Sequence, residues 1–394
     1  MKESLFNYRF EYENQKYIFN TNNNGLIQIN NDIFTEEERE YLRVNRFWVD
    51  DNEDEIALLE REINHNIQKR QKELELTIAL TNYCNFSCVY CYQNKNEKLM
   101  TTEVANMIIE KIDRILNDNI FEGINIHYFG GEPLLNIPVL IYLDENIKKI
   151  TDKIGIVYKA FLTTNGSMLS KELLQKVKFS SIQLTFDGLE KTHDRLRVSD
   201  HLHFKEEIEL IENIMNFSQA KVLLRTNICK ENKDEIIALH KYIFEKFGNE
   251  RIEINPNRTI KYHQDDSFEM LSVQEYAEVA YQIKLLWSEQ KGKFELPVPR
   301  STPCKFPYGN AYAISPEGYC TFCSGSMDQE KKYFFDVDIE NKKMFSVRKE
   351  CKKCNILPLC LGGCIIQYNL RAGACTYEKY ELKNILISYI KHIS

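Results

Sequence analysis

Between residue 73 and about residue 290 the chain alternates short β-branched runs with longer amphipathic segments. The strand-like runs are ELTIAL (75–80), INIHYF (124–129), IVYKAFL (156–162), SIQLTF (181–186), KVLLRTNI (221–228) and RIEINPN (251–257). Helix-like segments occupy roughly 101–118, 136–150, 168–177, 204–216, 231–246 and 272–290. Six strand–helix pairs in series predict an α/β architecture on a parallel sheet with right-handed crossovers. Polar and glycine-containing motifs follow several strands, where such folds collect their functional groups.

The flanks read differently. In residues 1–72, FNYRFEY, KYIFNT and GLIQIN surround polar turns such as NNNG and predict three short strands. TEEEREYL follows, then DEIALLEREINHNI, both with apolar residues at helical intervals. The acidic DDNEDE run (50–55) reads as a solvated loop. Residues 300–378 are short on periodic structure and rich in cysteine, which predicts folding around metal rather than around an apolar core. KYELKNILISYIKHI closes the chain as an amphipathic helix. The expected domains are therefore 1–72, 73–295 and 296–378, with a terminal helix over 379–394.

Charge and hydropathy narrow the function. The net charge of −7, from 51 basic and 58 acidic side chains, argues against a nucleic-acid binder that neutralises phosphates broadly. The first twenty residues contain no apolar h-region, and no stretch approaches the ~18 apolar residues of a membrane span. The expected location is the cytoplasm, with no membrane partner. Twelve cysteines are many for such a compartment. Three sit at 84–91 and eight between 304 and 375, and clustered thiols in a reducing environment point to metal or redox chemistry. Cys229 stands alone and reads as a small buried hydrophobe.

Cys84, Cys88 and Cys91 form a C-x3-C-x2-C loop directly after the first strand of the alternating region. Three thiolates can hold three irons of a cubane and leave the fourth iron open. Structural zinc competes as a reading, although it wants four donors and no local fourth is obvious. Further motifs follow successive strands: His127-Tyr128-Phe129-Gly130-Gly131-Glu132-Pro133, Thr163-Thr164-Asn165-Gly166, and Thr185-Phe186-Asp187-Gly188 leading to His193-Asp194-Arg195-Leu196-Arg197. Taken alone, Asn165-Gly166 is compatible with a turn, Asp187 with a helix start and Arg225 with a salt bridge. Taken together over residues 80–260, the set resembles the radical S-adenosylmethionine family, with Tyr90 as the aromatic residue before the third cysteine.

That resemblance implies a partial (β/α)6 TIM-like barrel, a [4Fe–4S] cluster on Cys84, Cys88 and Cys91, and S-adenosylmethionine as cofactor. It implies one-electron cleavage of the cofactor to a 5′-deoxyadenosyl radical that abstracts a substrate hydrogen. Gly130, Gly131 and Glu132 correspond to the family element whose backbone holds the methionyl amino group. Asn165, Thr185 and Asp187 are candidates for ribose and nearby polar contacts. Arg197 and Arg225 are candidates for the carboxylate, which a guanidinium fork matches.

The later cysteines run Cys304-x13-Gly318-x4-Cys323, then Cys351-x2-Cys354-x5-Cys360-x3-Cys364, then Cys375. A zinc-ribbon-like structural domain is one reading. The order resembles the SPASM extension of peptide- and protein-modifying radical S-adenosylmethionine enzymes, which implies two auxiliary [4Fe–4S] clusters and three clusters in all. By that resemblance Cys304, Cys323 and Cys364 serve the first auxiliary cluster. Cys351, Cys354, Cys360 and Cys375 serve the second. The first set is one ligand short. Either Cys320 fills it, or an iron stays open to a substrate thiolate.

Peptide-maturing members of the family commonly carry a front module that captures a leader peptide as an added strand. Residues 1–72 resemble that winged-helix-like module, a plain scaffold domain being the alternative. The expected function is a maturase that installs thioether crosslinks (cysteine sulfur to carbon) in a ribosomally synthesised precursor peptide with a leader. A flavodoxin- or ferredoxin-like electron donor is expected as a second partner. Carbon–carbon crosslinking, epimerisation or sulfatase maturation by the same superfamily, and a non-enzymatic zinc protein, are the alternatives.

Overall fold

Each of the six apolar runs forms a strand in the computed structural model: β1 (Glu73–Ala79), β2 (Gly123–Phe129), β3 (Val157–Thr163), β4 (Phe179–Thr185), β5 (Lys221–Ile228) and β6 (Ile252–Arg258). The structure describes residues 1–29, 34–70, 72–118, 121–248, 251–261, 267–321, 323–326, 332–337, 344–364 and 375–393. All five neighbouring pairs are parallel, with Ile78 opposite Tyr128, Ile126 opposite Ala160, Leu162 opposite Ile182, Leu184 opposite Leu224, and Leu224 opposite Ile254. The order along the sheet is the order in the chain, as βαβ crossovers of one hand require.

Alternation along these strands separates two faces. Leu74, Leu76, Ile78, Ile124, Ile126, Leu184, Val222 and Leu224 lie on one face and are fully buried. The side chains between them are largely polar: Glu75, Asn125, His127, Thr163, Gln183, Arg225 and Asn255. Helices Thr102–Asp118 and Ile137–Ile154 lie in the crossovers after β1 and β2, and their buried stripes run through Ala105, Ile108 and Ile112, and through Leu140, Leu143 and Ile147. A polar face on a buried sheet is costly unless its groups are paired or meet a ligand.

Three more strands extend the sheet beyond β1: β7 (Ala311–Ile314), parallel to β1, then β8 (Tyr319–Thr321) and β9 (Lys332–Tyr333), both antiparallel. They fall in the segment whose sequence shows little periodicity. Strands of four, three and two residues are too short to establish a period. Together, residues 70–271 and 305–342 make one compact unit.

The other unit combines residues 1–69, 272–304 and 343–394. An antiparallel meander of Asn7–Tyr12, Gln15–Asn20 and Gly25–Ile29 forms where three strands are expected. Helix Glu36–Val44 follows, begun by a Thr35/Glu38 capping box, and then helix Glu55–Arg70. Phe10, Tyr17 and Phe19 of the meander share one core with Ile356, Leu359, Leu382, Leu386 and Ile390. Helix Val273–Lys291 packs beside the terminal helix Glu378–Ile393, where Lys284 reaches Glu381 at 2.5 Å. No helix of the described residues is long and apolar enough to cross a membrane.

Candidate functional site

The chain leaving β1 meets the loop leaving β2 backbone to backbone. Gly131 donates its N–H to the Thr81 carbonyl at 2.8 Å, and Glu132 donates to the Tyr83 carbonyl at 2.9 Å. A Cβ on Gly130, whose φ is +133°, would lie 2.3 Å from the Thr81 oxygen. One on Gly131 would lie 2.1 Å from the Tyr83 oxygen. Only glycine permits this approach. The two glycines therefore set the path of residues 81–83 into Cys84.

Glu132 is fully buried, and its carboxylate accepts three hydrogen bonds. One oxygen accepts from Leu134 N at 3.0 Å and from the Thr164 hydroxyl at 2.6 Å; the other accepts from Asn165 N at 2.6 Å. Burial pushes its pKa up to about 7, against the opposing pull of these donors. The carboxylate thus bolts the loop after β3 to the loop after β2. Asn165, held there, gives its amide N–H groups to Asn85 Oδ1 at 2.8 Å and to Cys84 Sγ at 3.9 Å. Its own Oδ1 takes the Ser167 N–H and hydroxyl. Asn85 closes the ring with a 2.9 Å bond to the Ser167 hydroxyl.

The far side of the cysteine loop is fastened by a short antiparallel pair, Cys88 opposite Arg197 and Ser87 opposite Val198. Tyr90 hydrogen-bonds through its hydroxyl to the fully buried carboxylate of Asp187. The other Asp187 oxygen accepts from Asn227 N at 2.7 Å, at the end of β5. Asn232 donates to the backbone carbonyls of Asp187 and Asn227, at 2.8 Å each. Burial raises the pKa of both Asp187 and Tyr90. Arg197 is also buried; its guanidinium pairs with Glu207 at 3.2 Å and lies 5.2 Å above the Phe86 ring inside the loop. His193 approaches the second Glu207 oxygen at 3.5 Å.

Three thiols are thereby held on one braced loop. Burial pushes Cys88 up to about 12, with the Arg197 charge opposing, and raises Cys84 as well. Cys88 feels the negative charge of Cys91 and Cys84, so the three sulfurs are electrostatic neighbours. Among the described residues no group of three or more His, Cys, Asp or Glu is arranged to close on a metal ion. A soft triple-sulfur donor set on a half-buried loop nevertheless fits an iron–sulfur cluster, and buried thiols this reluctant to ionise lose their protons on binding metal.

Thr185, the last residue of β4, stands opposite Arg225 within β5, whose Nε lies on Asn227 Oδ1 at 2.9 Å. The later cysteines divide between the units. Cys351, Cys354, Cys360 and Cys375 lie in the unit built from both chain ends, where Cys351 feels Cys354 and Cys375, and Cys360 feels Cys354. Burial pushes Cys360 up to about 11. Cys304 and Cys364, both exposed, belong to the same unit. Cys320 and Cys323 belong to the sheet unit: Cys320 is buried within β8, and Cys323 Sγ accepts from Gly325 N at 3.3 Å. Asn85, Ser167, Glu207, Asn227 and Asn232 were not singled out by sequence, and Thr164 was read only as part of its motif. Each acts through a partner outside its own motif, from ten to more than eighty residues away, so no local pattern announces it. Cys229 is buried at the core position expected of a lone thiol.

A family model described as the radical SAM superfamily matches residues 78–243. The chain is 34% identical over 119 residues to the uncharacterized protein MJ0907 of Methanocaldococcus jannaschii, a match covering 29% of this chain and 39% of that protein. It is 23% identical over 371 residues to the radical SAM cyclopropyl synthase TigE of Paramaledivibacter caminithermalis, covering 83% of this chain and 76% of TigE. Among solved structures, anSMEcpe with bound AdoMet and Cp18Cys peptide aligns with a TM-score of 0.63 at 19% identity, over 82% of this chain and 98% of that one. Streptococcus suis SuiB bound to precursor peptide SuiA aligns at 0.55 and 15% identity, over 93% and 96%. The two structural likenesses are likenesses of fold. Matched by the family model across the strand-end loops described above, residues 78–243 of this chain are a radical SAM superfamily domain.

Proposed function

We propose that this protein is a radical S-adenosylmethionine maturase that forms thioether crosslinks in a ribosomally synthesised precursor peptide. The observation that carries the reading is the braced loop of Cys84, Cys88 and Cys91, with the Gly130–Glu132 turn packed directly against its approach. Cys84, Cys88 and Cys91 would hold the cluster. When bound, the cluster and its sulfonium cofactor supply reductive bond cleavage and, from it, hydrogen-atom abstraction.

This chain's own residues orient and enclose. The N–H groups of Gly131 and Glu132 are spent on Thr81 and Tyr83, so this turn has carbonyl oxygens to offer, which suit an ammonium group. Asn165 steadies Cys84 and Asn85, while Asp187 acts on the loop through Tyr90. The Arg197 charge favours the thiolate of Cys88. A flavodoxin- or ferredoxin-like protein would deliver the electron. The structures of anSMEcpe with Cp18Cys peptide and of SuiB with precursor peptide SuiA support a peptide substrate. The meander of residues 7–29 supports leader capture by strand addition. The grouping of Cys351, Cys354, Cys360 and Cys375 supports an auxiliary cluster there. The first auxiliary set, with or without Cys320, follows the SPASM resemblance.

Similarity to a cyclopropyl synthase over 83% of the chain favours a second reading, carbon–carbon bond formation. One experiment separates the two. Anaerobically reconstituted protein is incubated with S-adenosylmethionine, reductant and a cysteine-rich precursor peptide, and the product is alkylated before mass spectrometry. Loss of two hydrogens with loss of alkylatable thiols supports thioether formation. Loss of two hydrogens with every thiol retained selects carbon–carbon bonding, and an iron-free protein that forms no deoxyadenosine removes both.

A further inference from the structure

Along the sheet lies a half-open cavity of about 210 Å³ that the cofactor reading does not use. Its lining includes Glu75, Asn125, His127, Thr163, Gln183 and Lys305, all within one compact unit. Pockets for drug-sized ligands begin near about 300 Å³, so this space suits one amino-acid side chain.

Hydrogen-bonding capacity here is unevenly spent. The Lys305 ammonium has three donors and one hydrogen-bond acceptor among the described residues, Glu75 Oε2 at 2.7 Å. Glu75 is itself shared, its other oxygen taking Arg70 at 3.0 Å. Gln183, one of the lining residues, accepts from Asn255 through its oxygen at 3.2 Å, and its amide N–H groups have no acceptor among the described residues. His127 meets Thr163 Oγ1 through Nε2 at 2.7 Å; in the tautomer whose Nε2 accepts from that hydroxyl, Nδ1–H is a donor with no other hydrogen-bond partner among the described residues. Burial and the charge of Lys305 hold the imidazole down at about 4, so it is neutral at physiological pH. Beside the apolar Leu76, Phe161, Leu162 and Leu223, the lining thus carries spare donor capacity at Lys305 and Gln183, and the one carboxylate there, Glu75, is shared between the two cations Lys305 and Arg70.

We infer that this cavity is a carboxylate subsite, which receives an aspartate or glutamate side chain of the peptide substrate through Lys305, Gln183 and His127. The peptide as the source of the carboxylate rests on the function proposed above; the donor excess does not.

Direct binding tests it without reductant or turnover. Anaerobically purified full-length protein is titrated with N-acetyl-aspartate N-methylamide, the matching asparagine amide, and free succinate. The aspartyl amide should bind about tenfold tighter than the asparaginyl amide, equivalent to about 1.4 kcal/mol. Lys305→Met should erase that preference and Lys305→Arg should keep it, with iron content reporting an intact fold. Gln183→Leu, remote from every cysteine in sequence, should reduce it independently. Equal binding of the two amides, a preference surviving in Lys305→Met, or no binding of the aspartyl amide at ~50 mM overturns the inference. Succinate binding more tightly than the aspartyl amide overturns the peptide source. A protein that lacks iron yet keeps the aspartyl preference refutes the proposed function and leaves the subsite standing.

Discussion

Glu132 accepts the backbone N–H of Asn165 at 2.6 Å, and this one bond ties the loop after β2 to the loop after β3. Because the carboxylate is fully buried, it holds a proton up to about pH 7, whereas its ordinary value is 4.5. Between those values the folded state binds more protons than the unfolded chain. Stability from this group is therefore full below about pH 4.5 and declines as pH rises toward 7. The loss approaches about 3 kcal/mol. Glu132→Gln should remove this component, seen as a flatter difference between urea midpoints at pH 5 and pH 8.

Gly131→Ala should be far more damaging than Gly292→Ala. The first drives a methyl to 2.1 Å from the Tyr83 carbonyl oxygen, a backbone atom that cannot swing aside. The second meets nothing within 4 Å, so only the left-handed φ of +60° is strained. About 1–2 kcal/mol is expected for Gly292→Ala, and several for Gly131→Ala with loss of bound iron. Urea titration and iron analysis of the two variants check this.

Tyr90→Phe leaves an Asp187 oxygen buried without its donor. A loss of about 1–3 kcal/mol is expected. Adding Asp187→Asn should cost less than the sum of the single changes, because the two residues share one bond. A double-mutant cycle from thermal unfolding measures the coupling.

Single Cys84→Ala, Cys88→Ala and Cys91→Ala variants should each lose deoxyadenosine formation and the iron of the front cluster. Cys229→Ala, at a buried site, should keep both and lose only roughly 1 kcal/mol of stability. Iron assays beside product chromatography distinguish the two kinds of cysteine.

Six strands and the helices between them were legible because long periodic runs carry the signal of burial on one side. The cysteine loop and the strand-end motifs were legible for a different reason: their residues are consecutive. What stayed hidden joins distant positions. Lys305 reaches Glu75 across 230 residues, and Glu207 meets Arg197 inside the fold, with no local pattern in either case. The glycines of the β2 loop were read, through the resemblance, as bare backbone that approaches the methionyl amino group. They also give room to residues 81–83, so one property serves the protein's own backbone. β7 to β9 were invisible because they are brief and lean on β1 for their order.

That dependence on β1 bears on biosynthesis. A ribosome emits β1 long before it emits β7, so the growing polypeptide carries an unzipped sheet margin through most of its translation. Glu75 and Thr77, buried on that strand, disfavour mispairing with a neighbouring nascent chain less than exposed lysines would. A product terminated before residue 311 would keep this margin bare permanently and should aggregate, while a chain that reaches β7 covers it with four residues, Ala311–Ile314.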